Sequence, residues 1–135
     1  MKSKNFNIIS GYIEGYYGRL LTWKDRNRII HKLKYNKMNY YFYAPKEDEK
    51  HRQNWRIKYN LEWINEFKKF SKNANSQGIK IITGISPGLD FNFQDFFKNK
   101  TVNKNSIDFC KLINKAKNLL NYGADEIALL LDDLP

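Results

Sequence analysis

"IKIITGIS", residues 79–86, is apolar with little alternation, and it is bracketed by Gly78 on one side and by Pro87-Gly88 on the other. A half-exposed strand alternates polar and apolar residues. A run without that alternation belongs to a strand buried on both faces, as in a parallel sheet covered by helices. Three more runs share the character: "NIISGYIE" (7–14), "NYYFYA" (39–44) and "EIALLL" (126–131). All are therefore expected to be parallel strands buried on both faces.

The stretches between the runs have helical spacing. The first starts near Thr22, whose hydroxyl can cap free amides with Asp25 three residues on. It carries Ile29, Ile30 and Leu33 and ends around Asn36. The second takes Asn60 as N-cap and places Trp63, Phe67, Phe70 and Ala74 on one face. Gly78 then stands where a left-handed residue ends a helix. The third begins near Ser106, runs through Phe109, Ile113, Ala116 and Leu120, and stops at Gly123. The order is βαβαβαβ, so the candidates are a doubly wound sheet or a (β/α)8 barrel.

No phosphate-binding glycine fingerprint opens the first helix, which counts against a dinucleotide fold. The segments after the strands are long and chemically rich, whereas the returns "NKM", "NSQG" and "YGAD" are short. That asymmetry places function at the C-terminal ends of the strands, as in a barrel. The fold class expected is α/β of the (β/α)8 type with only its first half present, because a complete barrel takes about 250 residues.

Composition bounds the rest. The 135 residues are 41% hydrophobic and 16% aromatic, enough for one core and too few for two. One domain over 1–135 is expected, with no second. The opening "MKSKNFNIISGY" has no apolar core of a secretory signal, and no run approaches a transmembrane length, so the chain reads as soluble and cytoplasmic with no membrane partner. The single cysteine, Cys110, sits among apolar helix positions and reads as a packing residue. The net charge of +10 invites a nucleic-acid partner. However, the lysines are scattered through "HKLKYNK" (31–37), "FKKFSK" (67–72) and "KNKTVNK" (98–104), and Lys, Asn, Ile, Tyr and Phe share A/T-rich codons. A solvated surface and no nucleic acid is the reading.

Three post-strand segments carry the chemistry. "GYIEGYYGR" (11–19) offers glycines for close backbone approach and tyrosines as flat faces with a polar edge, a combination suited to sugar rings. "YAPKEDEKHRQNWR" (43–56) sets Lys46 at the strand mouth, where it can donate to ligand hydroxyls. His31 and His51 have no partner at metal-ligand spacing. In "GISPGLDFNF" (84–93), Asp90 reads as a local cap. The fourth run ends in Asp132 and Asp133. At a strand's end the alternation relaxes, so both can reach one cleft. Paired carboxylates there split their pKa values, one protonated and one charged, as glycoside cleavage requires.

Four stretches, "GYIEGYYGR", "YYFYAPKEDEKHR" with "WR" shortly after, "ISPGLD" and "ALLLDDL", resemble in order and spacing the motifs of glycoside hydrolase family 84, the O-GlcNAcase-like β-N-acetylglucosaminidases. The likeness runs from about Ile8 to Leu134. It implies a (β/α)8 barrel that removes terminal N-acetylglucosamine from a glycan or glycoprotein with retention of configuration, without a metal or other cofactor. It also implies that the nucleophile is the substrate's own 2-acetamido oxygen, which forms an oxazoline. On motif position, Asp132 would hold and polarise the acetamido N–H. Asp133 would protonate the departing oxygen and then act as base toward water. Gly15 would bind the sugar through its backbone, and Lys46 would bond a hydroxyl.

The departures are specific. Leu20 and Leu21 stand where the family has Pro-Trp, and Tyr16 replaces a usual phenylalanine. The substrate contacts that the family supplies from strands five to eight are not in this sequence. The expectation is the N-terminal half of such a barrel, reduced or inactive alone, that meets a complementary C-terminal half or itself. The alternative from another class is a non-catalytic sugar-binding or assembly half-barrel that pairs with another chain, since an unclosed sheet leaves edges open to association.

Overall fold

The computed structural model describes residues 9–132. Its main sheet is formed by β1 (Gly11–Glu14), β2 (Tyr40–Tyr43), β3 (Lys80–Ile85) and, last in the chain, β6 (Glu126–Leu129). The strands lie side by side in the order β1-β2-β3-β6, all parallel. They are joined by α1 (Trp23–Tyr35), α2 (Leu61–Ser76) and α4 (Ile107–Tyr122).

Local chemistry sets the helix ends where the sequence places them. Thr22 and Asp25 form a reciprocal capping box, the Asn60 side chain accepts from the Trp63 amide at 2.9 Å, and Ser106 caps α4. α4 ends at Gly123 with φ +118°, a conformation open to glycine, and a Cβ there would lie 2.7 Å from Ser71 Oγ.

Register decides which residues share a face. Tyr41 lies beside Ile81, Tyr43 beside Thr83, and Thr83 beside Ile127, and all point toward the helices. There they meet Ile30 and Leu33 of α1, Phe67, Phe70 and Ala74 of α2, and Leu119 of α4 in one buried cluster. Trp23 is ringed by Tyr43, Trp63, Phe67 and Phe70 at centroid distances of 5.7–6.5 Å. Fully burying an aromatic such as Phe67, which is 0% exposed, contributes about 1.5–3 kcal/mol. All three long helices pack on this one side, the arrangement that a barrel wall needs. A doubly wound sheet has helices on both.

The expected burial on both faces is therefore met on one. On the other, Phe42, Ile82 and Ala128 are half-buried and Ile13 is 61% exposed, because nothing among the described residues covers it. β1 and β6 are its edges.

Three further expectations change. The segment after β3 is not a plain loop: it holds a short helix α3 (Phe93–Phe96) and a hairpin of β4 (Phe97–Lys98) and β5 (Thr101–Val102). Asn99 and Lys100 turn the hairpin with φ of 50° and 64°, the left-handed pair of a two-residue turn. On α4, Ile113 and Leu120 face outward, while Asp108, Lys115 and Leu119 face in. The reason is polar: Asp108 receives the Arg56 guanidinium, and Lys115 Nζ donates to the Ile57 carbonyl at 2.6 Å, so both polar residues turn inward. Cys110 follows the outward stripe and is exposed, not packed, its S–H directed at the Lys104 carbonyl.

Candidate active site

Chain alternation carries the exits of the strands onto the open face. Gly15 follows Ile13 there by two residues, and a Cβ added to it would meet Ile13 Cγ2 at 3.0 Å, confirming the shared side. Ala44 and Gly84 lie on the same side, because a Cβ on Gly84 would meet Ala44 Cβ at 3.0 Å and Leu130 Cδ1 at 3.1 Å. Two residues further on come Lys46, Ser86 and Asp132, and these three converge. Lys46 Nζ donates to Asp132 Oδ2, and Ser86 Oγ donates to Asp132 Oδ1 at 3.1 Å.

The carboxylate is thereby held ionised. The Lys46 hydrogen bond, against the opposing cost of burial and with help from a backbone amide and Ser86, keeps the Asp132 carboxyl below its usual range. An ionised carboxylate offers about four acceptor positions, so two bonds leave it able to accept another N–H. The Lys46 side chain is 11% exposed and that of Asp132 47%, so the pair stands at the rim with the carboxylate reachable from outside.

Much of the charge in these loops serves the fold instead. Glu14 is buried and takes the Arg26 guanidinium on both oxygens, at 2.9 and 2.8 Å, plus the Tyr41 hydroxyl at 2.5 Å, locking β1 to α1. Asp48 accepts from Tyr43 and Tyr59 hydroxyls at 2.7 and 2.8 Å and from the Lys50 amide at 2.9 Å. Asp90 is not a cap: it accepts from Trp55 Nε1 at 2.9 Å and from Arg56, which also grips Asp108. The α3 cap is Asn92. These pairings pin the long segment between β2 and α2, so Lys46 projects from a fixed frame.

A family model for β-N-acetylglucosaminidase matches residues 10–135. The chain belongs to the β-N-acetylglucosaminidase family. Among curated proteins it is 32% identical to Protein O-GlcNAcase of Rattus norvegicus and of Mus musculus, over 94% of this chain and 13% of each relative. Among solved structures it is similar to CpGH84B, with TM-score 0.83, 35% identity and coverage of 94% of this chain and 21% of that one. It is likewise similar to a mutant O-GlcNAc hydrolase of Thermobaculum terrenum, with TM-score 0.81, 31% identity and coverage of 94% and 25%. The chain thus spans a quarter or less of the length of these relatives.

Of the residues that the β-N-acetylglucosaminidase resemblance singles out, Lys46 and Asp132 are joined directly and Gly15 lies on the same face of the exit of β1. Asp133 lies outside the described residues. Sequence reasoning missed Ser86 as a partner of Asp132, although its pleat position, two beyond Gly84, was readable. It also missed Glu14 as a buried anchor. Among the described residues no cluster of three or more His, Cys, Asp or Glu side chains is arranged to hold a metal ion, and no helix is long and apolar enough to cross a membrane.

Proposed function

We propose that this chain supplies the N-terminal half of a family 84 catalytic barrel. In this reading it removes terminal β-linked N-acetylglucosamine from a glycan or glycoprotein, with retention of configuration and with the substrate's acetamido group as nucleophile. The observation that carries the reading is the ionised Asp132 carboxylate, held by Lys46 and Ser86 at the exits of three neighbouring strands.

The chemistry follows from that charge. Asp132 accepts the acetamido N–H, which raises electron density on the carbonyl oxygen and aims it at the anomeric carbon. That oxygen forms the new C–O bond as the glycosidic C–O bond breaks, and Asp133 delivers a proton to the leaving oxygen. Asp133, now a carboxylate, takes a proton from the water whose oxygen bonds to the anomeric carbon as the new ring's C–O bond breaks. The N–H stays on nitrogen against Asp132 throughout, so the ring is an oxazolinium and opens back to the acetamide. Lys46, an N–H donor already directed at Asp132, also donates to a sugar hydroxyl in this reading. Gly15 brings backbone close to the ring without a side chain in the way.

The test is release of 4-nitrophenol from its β-N-acetylglucosaminide by this chain, by the Asp133→Asn variant, and by the chain supplemented with the strand five to eight region of a relative. Release that Asp133→Asn leaves untouched would remove the assigned acid. Release only in the supplemented mixture supports a half-barrel that is completed by another segment.

A second reading, a non-catalytic assembly module, draws on a specific surface. Pro87, Phe91, Phe96, Phe109, Leu129 and Leu131 line a wholly apolar cavity of about 360 Å³ beside edge strand β6. A second copy or a complementary half-barrel covering it predicts a dimer or heterodimer in size-exclusion chromatography. A well-behaved monomer argues against obligate pairing.

A further inference from the structure

β2 leaves the sheet at Pro45, and its last residue paired with β3 is Tyr43, opposite Thr83. Beyond that point β3 loses its strand neighbour on this side. His51, from the segment between β2 and α2, takes the vacated place. Its carbonyl accepts from the Ser86 amide at 2.9 Å, and its ring Nδ1 lies 2.9 Å from the Gly84 carbonyl oxygen.

A carbonyl only accepts, so Nδ1 carries the proton, and the neutral ring then has a bare lone pair on Nε2. Nε2 is buried with no hydrogen-bond partner among the described residues, and His51 as a whole is 1% exposed. The ring is thus held by one bond, in a space that only a glycine opposite permits: a Cβ on Gly84 would come within 3.0 Å of His51 Cε1. Among the described residues the charged groups around the imidazole are Asp48, Lys46 and Asp132; burial pushes its pKa down, with the Gly84 bond, Asp48 and Asp132 opposing and Lys46 assisting.

From His51 the contacts lead to the reactive carboxylate in two steps. Its main chain fixes the Ser86 amide, and the Ser86 hydroxyl donates to Asp132. We infer that His51 is a positioning residue for Asp132: standing in for β2 beside the end of β3, it holds Ser86 so that the serine hydroxyl stays on the carboxylate. The inference rests on the steering role proposed for Asp132, but it concerns how that carboxylate is held.

The test therefore reads the carboxylate and not turnover. In the isotopically labelled chain, ¹⁵N shifts give the His51 tautomer and ¹³C shifts follow the Asp132 carboxyl through its titration. The expected tautomer is Nδ1–H. Ser86→Ala raises the Asp132 pKa. His51→Gln, which keeps a polar side chain but loses the donor at Nδ1, raises it too. His51→Asn, whose amide nitrogen stands where Nδ1 stands, returns it to the wild-type value. The His51→Gln/Ser86→Ala double variant shifts no further than Ser86→Ala, because both act through one hydroxyl.

An Nε2–H tautomer in the wild type, which needs no variant to observe, overturns the inference. So does a folded His51→Gln chain with an unmoved Asp132 titration, or a double variant whose shifts add. Absence of glycosidase activity in the same samples would touch the enzymatic reading and leave these outcomes intact.

Discussion

The two faces of the sheet are built from alternate residues of the same strands, and they hold together by different physics. On the helix side, Tyr41 and Tyr43 of β2 enter a close-packed aromatic cluster with Phe67, Phe70 and Trp63. On the open side the same chain continues through Ala44 to Lys46, where, among the described residues, the Lys46 ammonium and the Ser86 hydroxyl meet the Asp132 carboxylate. The first face supplies burial and the second supplies a charge at a chosen place. Substitutions on the helix side should therefore cost stability, and those at the Lys46–Asp132 pair should change the carboxylate and leave the fold in place.

The sharpest way to break that contrast is Glu14→Ala. Glu14 is 1% exposed and its loss leaves the buried Arg26 guanidinium without a counter-ion. Removing one partner of such a pair costs about 3–5 kcal/mol. Urea denaturation followed by far-ultraviolet circular dichroism measures it, and a loss under about 1 kcal/mol would show that water reaches Arg26 and that the helix side is not sealed there.

Lys115 tests the same side by pH. It is buried, and burial pushes its ammonium down to about 8 from the ordinary 10.5. Between those values the unfolded chain binds more protons than the folded one, so this residue's contribution makes stability rise with pH from about 8 to 10.5. The buried tyrosines act in the opposite direction above their ordinary pKa, so the measurement is the difference between wild type and Lys115→Met across that window. A difference that stays flat would mean that Lys115 keeps its proton on folding.

Gly84→Ala probes the boundary between the faces. Its methyl group would lie 3.0 Å from Ala44 Cβ and from His51 Cε1, and one of these neighbours is backbone-anchored. Overpacking of this kind costs about 1–3 kcal/mol. A thermal melt of the variant reads the loss, and an unchanged midpoint would place His51 in a looser seat than its burial indicates.

How much of this contrast the sequence displays depends on the range of the interaction. Continuous apolar runs marked all four main strands, and Thr22, Asn60, Ser106 and Gly123 marked helix ends, because capping and periodicity act over a few residues. The inward turn of Asp108 and Lys115 on α4 was not legible, since it answers to Arg56 and Ile57, more than fifty residues earlier in the chain. The Phe97–Val102 hairpin is two residues per strand, too short for any alternation to register. At the site, Lys46 and Asp132 were readable as strand-exit residues, but Ser86 and His51 matter through pairings that cross from one strand exit to another. Only the register of the folded sheet creates those.

The smallest effect on stability belongs to the open face. Lys46→Met removes the main cause that holds the Asp132 carboxyl below its usual range. The carboxylate is half exposed, so water replaces much of what the ammonium provided, and a pair of this kind contributes about 1 kcal/mol or less. The sign is fixed by linkage. A carboxyl with a lowered folded pKa contributes stability that is fully present above its unfolded value of 3.8 and is lost as pH falls through the lower folded value. The wild type should therefore exceed Lys46→Met in stability at neutral pH by that small margin, and the two should converge in acid below the folded Asp132 value. The ¹³C titration of Asp132 should move upward in the variant, toward the ordinary carboxylate range. A large loss of stability at pH 7 would mean that Lys46 belongs to the architecture of the sheet, and the division between a face that folds and a face that holds a charge would fail at the residue where it is drawn.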